Sequence, residues 1–543
     1  MSKGTINMFR VCSQEQDSFL KGLSAKYIKA KSSKEIIEGD SNFQCEFFYD
    51  LHGSEKPVTW DWLPSSFNVD IKQYSYPSAV LLIRNKKLSE TLYAISFGSA
   101  HFCVHKYCDR EFGFSFARKF LPNVVKSATY TTPRSTKNRT LNSFLNQSKF
   151  LFEGGQSYNK LKYETDLQEF NSSSSNQLSS TIAIGTSINF TFQSSPSLQD
   201  IVKLIIFVEK SLKEKADVQK IPIFVKVTDA DKKQELDKDL IKALQAGDDC
   251  SVKMTEFNII GTKENFNDHD QEWELHCGRI TASLFELSIH AIKKVCKDTN
   301  IDIGSDIHKI KLKGSDSLYA LPLKSCLDYV NENDKCLLMD GEWFEFNSDF
   351  LVYLNESLGE IDLEYEPKQD LKVTEYNKIV KAKAKSENIS VKSASSTYYY
   401  ERVFNEIQAE KYGFELGDRK LKKVGQDRIE VADLIDSTNN ILYGVKVGKN
   451  SGKLSYVLNQ MMTSIEFLHN SKDGLKDVLP GKNRKQIGFG IWLILERSPD
   501  FDRNAENYLS SLKYLVFKIQ LNEWKKKVME YGYKPYFKIN YKY

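Results

Sequence analysis

Apolar positions along this chain come in short runs that end on a charge or a glycine, a pattern of strands more than of long helices. Ser78-Ala-Val-Leu-Leu-Ile-Arg84 and Leu92-Tyr-Ala-Ile-Ser-Phe-Gly98 are two such runs. Between Thr181 and Gln193, Ile182, Ile184, Ile188, Phe190 and Phe192 all fall on even positions, which places them on one strand face. The polar stretch Asn171-Ser-Ser-Ser-Ser-Asn176 has little to bury and is expected to be a loop.

Helical spacing enters further on. Leu284, Leu287, Ala291 and Val295 recur every three or four residues and predict a helix over Ser283–Lys297. Leu337 to Phe346 reads as a hairpin around Asp340-Gly341, a dipeptide suited to a type I′ turn. Asn347 then offers a side-chain cap for a helix through Leu354 and Leu358. From Asp370 to Ser396 the apolar pattern thins while lysines gather at 372, 378, 381, 383, 385 and 392. The expected class is therefore a mixed α+β, α/β-type multidomain protein. Its expected parts are an N-terminal α+β domain over 1–195, a middle α+β domain over 196–370, a basic linker over 371–395 and a C-terminal domain over 396–543.

That last segment has a definite order of elements. A helix from about Tyr398 to Lys411 carries Glu401 and Glu406, and a strand over Arg428–Ile435 holds Asp433. Asn439-Asn440 makes a turn into the strand Ile441–Val447, whose apolar run contains Lys446. A helix over Leu454–Leu468 contains Gln460, and strands are predicted at Ile491–Leu495 and Leu515–Ile519.

Composition narrows the class. At 543 residues the chain exceeds one ordinary core, and roughly two to four domains are expected. With 41% hydrophobic and 27% charged residues it is globular rather than disordered. No apolar run approaches the roughly 18 residues that cross a bilayer, so no membrane partner is expected. The start, Met-Ser-Lys-Gly-Thr-Ile-Asn-Met, has no signal-peptide apolar region, so a cytoplasmic location is expected. Nine irregularly spaced cysteines do not describe a disulfide framework. A net charge of +4 is too mild to indicate nucleic acid by itself, so lysine clustering matters more.

Asp433 and Lys446 are the residues with chemistry to offer. An aspartate at one strand end and an acidic neighbour hold Mg²⁺ or Mn²⁺ against a phosphate. A lysine on the next strand offsets developing negative charge. The order helix, strand, hairpin, strand, helix, strand resembles the restriction-endonuclease-like, PD-(D/E)xK type of nuclease, a central mixed sheet flanked by helices. That resemblance implies Asp433, Lys446, Glu430 and Gln460 as catalytic candidates and Asp433, Glu406 and Glu401 as metal candidates. The position two before the lysine is Gly444, where this type carries Glu, Asp or Gln. Either another carboxylate completes the site, or the domain has lost catalysis and kept binding.

A second resemblance spans nearly the whole chain. Tyr93-Ala-Ile-Ser-Phe-Gly98, Asp109-Arg-Glu-Phe-Gly-Phe114, Gly341-Glu-Trp-Phe344, Glu375-Tyr-Asn377, Ile429-Glu-Val-Ala-Asp433, Tyr443-Gly-Val-Lys446 and Leu454-Ser-Tyr-Val-Leu-Asn-Gln460 are similar to a bacterial "sporadically distributed protein" family of unknown function. In that family the last two motifs tend to read His-Val-Lys and Leu-Ser-His, where this chain has Gly444 and Tyr456. Patchy occurrence implies mobile antiviral defence genes.

The basic candidates for phosphate contact are Lys420, Lys422, Lys423, Lys449, Lys482, Arg484 and Lys485, concentrated near the candidate site. DNA or RNA is the expected partner, with a protein partner for residues 1–370 and an oligomer both open. The expected function is a metal-dependent nuclease, or a degenerate one, in prokaryotic defence. A non-catalytic reader or an interaction scaffold is the alternative. His101, Cys103 and His105 would share one face of a strand, but no second motif of matching spacing completes a zinc site.

Overall fold

The structure is a computed structural model. It describes residues 4–50, 62–68, 78–86, 91–133, 139–147, 150–246, 252–254, 257–260, 263–266, 272–284, 286–314, 320–417, 421–424, 427–448, 451–470, 479, 481, 486–496, 509, 512 and 514–543. The fold is a multidomain α/β one, with several sheets and packed helices. Two compact units emerge, the first over 1–132, 137–152 and 156–225 and the second over 133–136, 153–155 and 226–543.

The first unit is built on an eleven-stranded antiparallel sheet with Gly4–Val11 near its middle, between Leu92–Phe97 and Ile188–Phe192. Met8, Leu81, Ile95 and Phe190 belong to the core of one face, and Phe9, Val80, Leu82 and Ala94 to that of the other. The helix Leu198–Glu214, expected to open a middle domain, packs here instead, burying Ile201, Val202, Leu204 and Ile205. Its amphipathic stripe needs the apolar sheet face more than it needs the residues that follow.

The even-numbered alternation from Ile182 to Phe192 is buried as expected, but it belongs to two strands, Thr181–Ile184 and Ile188–Phe192, paired as a hairpin. Gly113 packs under their turn, where a Cβ would lie 2.4 Å from the Gly185 carbonyl oxygen. The polar stretch from Asn171 starts inside a short helix, Gln168–Ser173. His101-Phe-Cys-Val104 is helical rather than extended, which removes the shared strand face of His101, Cys103 and His105. Among the described residues, no group of three or more His, Cys, Asp or Glu side chains could hold a metal ion.

In the second unit the hairpin Cys336–Met339 to Glu342–Phe346 forms around Asp340 and Gly341, both with positive φ. Asn347 caps Ser348–Leu358 by accepting from the Phe350 amide. The helix predicted over Ser283–Lys297 begins at Ile289, because Ile280–Leu284 pairs as a strand with Trp273–Cys277. No helix among the described residues is long and apolar enough to cross a membrane.

The C-terminal sheet begins with β1 (Asp362–Glu364). It is followed by α1 (Val373–Ser386), α2 (Val391–Thr397), α3 (Tyr400–Tyr412), β2 (Glu415–Leu416), β3 (Leu434–Asp436), β4 (Ile441–Gly448), α4 (Ser451–Asn470), β5 (Gly488–Leu495), α5 (Leu515–Glu530) and β6 (Lys534–Tyr541). The strand order is β1-β6-β5-β4-β3-β2. β4, β5, β6 and β1 run parallel, while β3 is antiparallel to β4 and to β2.

Residues 371–395 are therefore not a linker. α1 and α2 bury Val380, Ala384 and Ala394 in the same core as Tyr443, Val445 and Trp492. Leu515–Ile519, expected as a strand, is the first turn of α5. That helix is buried around nearly its whole circumference for ten residues, so no polar face marks its period. The expected strand Arg428–Ile435 is broken: Asp427–Glu430 pairs with Leu421–Val424 as a separate hairpin, and Asp433 lies on the bend before β3.

Candidate functional site

β3 pairs with β4 only from Ile441 to Tyr443. Beyond that, the amides of Val445 and Val447 point to the same edge, since alternate residues of a strand turn their backbone groups to the same side. An unpaired buried amide costs about 1–3 kcal/mol, so these two groups need acceptors. Carboxylates supply them. Asp433 Oδ2 accepts from the Val445 amide at 2.6 Å, and Glu401 Oε2 accepts from the Val447 amide at 3.2 Å. Asp433 is itself held in place as its amide donates to the Tyr443 carbonyl oxygen and its carbonyl accepts from the Gly417 amide.

Glu401 comes from the first turn of α3, which covers one face of the sheet through Val403 and Phe404. Lys446 faces the other side, toward α4, and its Nζ lies 5.3 Å from the centre of the Tyr456 ring. The two side chains meet round the open edge: Lys446 Nζ is 3.2 Å from Glu401 Oε2, with both side chains largely buried. Glu401 and Lys446 thus meet at the Val447 amide, while Asp433 holds the Val445 amide two residues earlier on the same strand. Burial pushes the Tyr400 and Tyr443 phenols above their ordinary range, so both stay protonated beneath the site.

Glu406, the other described carboxylate of the set, does not join them. It is taken by Arg402 at 3.0 Å and Lys383 at 3.8 Å. Gln460 is half-buried on α4, one turn beyond Tyr456. The side chain of Glu430 lies outside the described residues, as do those of Lys422 and Lys423. Lys420, Lys449, Lys482, Arg484 and Lys485 lie outside them altogether. Tyr456 was the residue to notice. It is exposed while Leu454, Val457, Leu458 and Met461 around it are buried, an aromatic on the polar face of an amphipathic helix.

Gly444 is more than a missing ligand. A Cβ there would lie 2.6 Å from Met461 Cγ and 2.7 Å from Val457 Cγ2, so α4 fills the place a side chain would take. The two amides that hold the carboxylates are separated by roughly two residues of strand rise, about 6–7 Å. One Mg²⁺ binds its oxygens at about 2.1 Å, so carboxylates spaced by their amides would have to lean off them to share it. The arrangement fits a closed strand edge with a lysine on its rim better than a metal cage.

The model of a family of unknown function, DUF6119, matches residues 5–525. The chain belongs to that family. No curated protein and no solved structure matches it. The DUF6119 match covers residues of both units.

Proposed function

We propose that this DUF6119 chain targets nucleic acid, and that its C-terminal domain is a degenerate nuclease-type fold used to bind rather than to cut. The observation that supports the reading is the row of charged side chains along β4 beyond its pairing with β3, with Asp433 on the Val445 amide and Glu401 on both the Val447 amide and Lys446. It lies within an order of helix, three antiparallel strands (with a separate hairpin between the first two), helix and parallel strand, which resembles that of restriction-endonuclease-like domains. The lysine sits near the C-terminal end of a parallel strand, where open α/β sheets take their ligands. Binding rather than cleavage is favoured because both carboxylates are committed to backbone amides and α4 occupies the space at Gly444.

A second reading, hydrolysis, is favoured by Glu401, which brings a carboxylate to Lys446 from a different element than the motif position. The resemblance to a patchily distributed bacterial family supports a setting in prokaryotic antiviral defence.

Purified full-length protein is to be titrated into labelled DNA and RNA across a salt series, then incubated with the same nucleic acids in Mg²⁺ and Mn²⁺. The expected result is binding that weakens steeply with salt, as phosphate contacts release counterions, without cleavage. Metal-dependent cleavage lost in Lys446→Ala would establish the hydrolytic reading instead. Absence of binding to every nucleic acid in dilute buffer would overturn both.

A further inference from the structure

Resting on the nucleic-acid reading above, we propose that the Lys446 site takes a single strand, with unpaired bases stacked on Tyr456 and Tyr399. Tyr456 is 63% exposed and its ring faces the Lys446 ammonium. Tyr399 is 39% exposed at the N-cap of α3, two residues before the Glu401 that holds the same ammonium. Exposed rings therefore lie on both helices that contact the Lys446 ammonium, Tyr456 directly over it and Tyr399 at the start of the helix that supplies Glu401. Large apolar side chains left in water need a reason when they cluster at a candidate site.

The surroundings suit a phosphate chain. Between residues 372 and 411 there are eight basic side chains against five acidic ones. Lys378, Lys381 and Lys385 are all exposed on α1 at spacings of three and four, which puts them in one stripe. Beside them, the Arg402 guanidinium and the Lys383 ammonium both lie over the Tyr398 ring, at 4.6 and 5.0 Å. Acidic groups are present too: Glu406 pairs with Arg402 and Lys383, and Glu387 accepts from the Tyr398 hydroxyl. Cations interleaved with aromatic rings are the pattern of proteins that track unpaired strands, where every base offers a face to stack. In a duplex those faces are closed by neighbouring base pairs, and a ring beside a lysine would gain only the phosphate contact.

The experiment is fluorescence anisotropy of the full-length protein with labelled 20-nucleotide oligo-dT and oligo-U and a 20-base-pair DNA duplex at one salt concentration. Single strands are expected to bind more tightly than the duplex. Stacking contributes about 1–3 kcal/mol per base, so Tyr456→Ala and Tyr399→Ala should each weaken single-strand binding roughly 5- to 150-fold. Tyr456→Phe should restore it, because the ring and not the hydroxyl carries the contact. Tyr412→Ala, at the far end of α3, is the control and should leave affinity unchanged. Melting temperatures of each variant separate a lost contact from a lost fold. A duplex preference, or single-strand affinity indifferent to Tyr456→Ala, overturns the single-strand inference and leaves the nucleic-acid reading standing. No binding to any of the three probes overturns both together.

Discussion

Glu401 serves Lys446 and the β4 backbone with the same oxygen: its Oε2 lies 3.2 Å from the lysine Nζ and 3.2 Å from the Val447 amide. The two partners of this pair are therefore unequal. Removing the lysine leaves a carboxylate that still has its amide donor, whereas removing the carboxylate strands both a cation and a backbone N–H. Glu401→Ala should cost about 2–4 kcal/mol in urea unfolding, and Lys446→Ala only about 1 kcal/mol. Equal losses would mean that the backbone contact contributes nothing.

Asp433 invites a similar separation. It is 7% exposed, and its carboxylate takes the Val445 amide at 2.6 Å. Asp433→Ala should destabilise by roughly 1–3 kcal/mol by leaving that amide without its acceptor. Asp433→Asn keeps an oxygen acceptor and should recover most of the loss. If only the charge mattered, as for a phosphate-facing or metal-facing group, Asn would behave like Ala in function while Ala kept full stability. Thermal unfolding of the two variants side by side decides it.

Much of this frame was legible in the chain. The residues of β4, α4 and β5 follow from apolar runs with clear ends, and the Asp340-Gly341 hairpin follows from turn chemistry. What hid was of two kinds. α5 buries Lys518, Gln520, Asn522 and Lys525 along with its apolar residues, so no polar stripe betrays a helix. α1 and α2 carry lysines on their outer faces and bury only small or isolated apolar residues, so they look like a linker until their partners are known. At the site, sequence placed Asp433 and Lys446 on neighbouring strands, whereas Asp433 lies on the bend just before its strand. Sequence could not show that Glu401 reaches round the sheet edge, because that contact spans 45 residues and depends on where β3 stops pairing.

Lys518 is one of those buried polar groups, and burial together with the nearby Lys335 pushes it from the ordinary 10.5 down to about 8. Below about pH 8 it is charged in both folded and unfolded chains, so its penalty is constant. Between about pH 8 and 10.5 the unfolded chain still holds the proton while the folded one has released it. Unfolding then takes up a proton, and stability from this group rises with pH across that window. Lys518→Met should flatten that rise and raise the melting temperature at pH 7. A wild-type stability curve with no such difference from the Met variant would refute the assignment.

Gly444 offers the sharpest test, because the nuclease motif and the packing demand opposite things of it. If the glycine were only a lost ligand, Gly444→Glu would restore the motif acid two residues before Lys446 and could revive metal-dependent cleavage. Space at the position argues otherwise. The new Cβ would fall 2.6 Å from Met461 Cγ and 2.7 Å from Val457 Cγ2, inside the contact distance of carbon atoms. α4 would have to withdraw from β4, and the carboxylate would lie among buried apolar side chains. Overpacking costs about 1–3 kcal/mol, and an unpaired buried charge adds more, so Gly444→Glu should lose about 3 kcal/mol or more without gaining cleavage. Gly444→Ala, which adds only the Cβ, should lose about 1–3 kcal/mol for the overpacking alone. Denaturant midpoints of both variants, with a Mg²⁺ cleavage assay on Gly444→Glu, make the comparison. A stable, cleaving Gly444→Glu protein would show that α4 yields readily and that the fold is one substitution from a working nuclease.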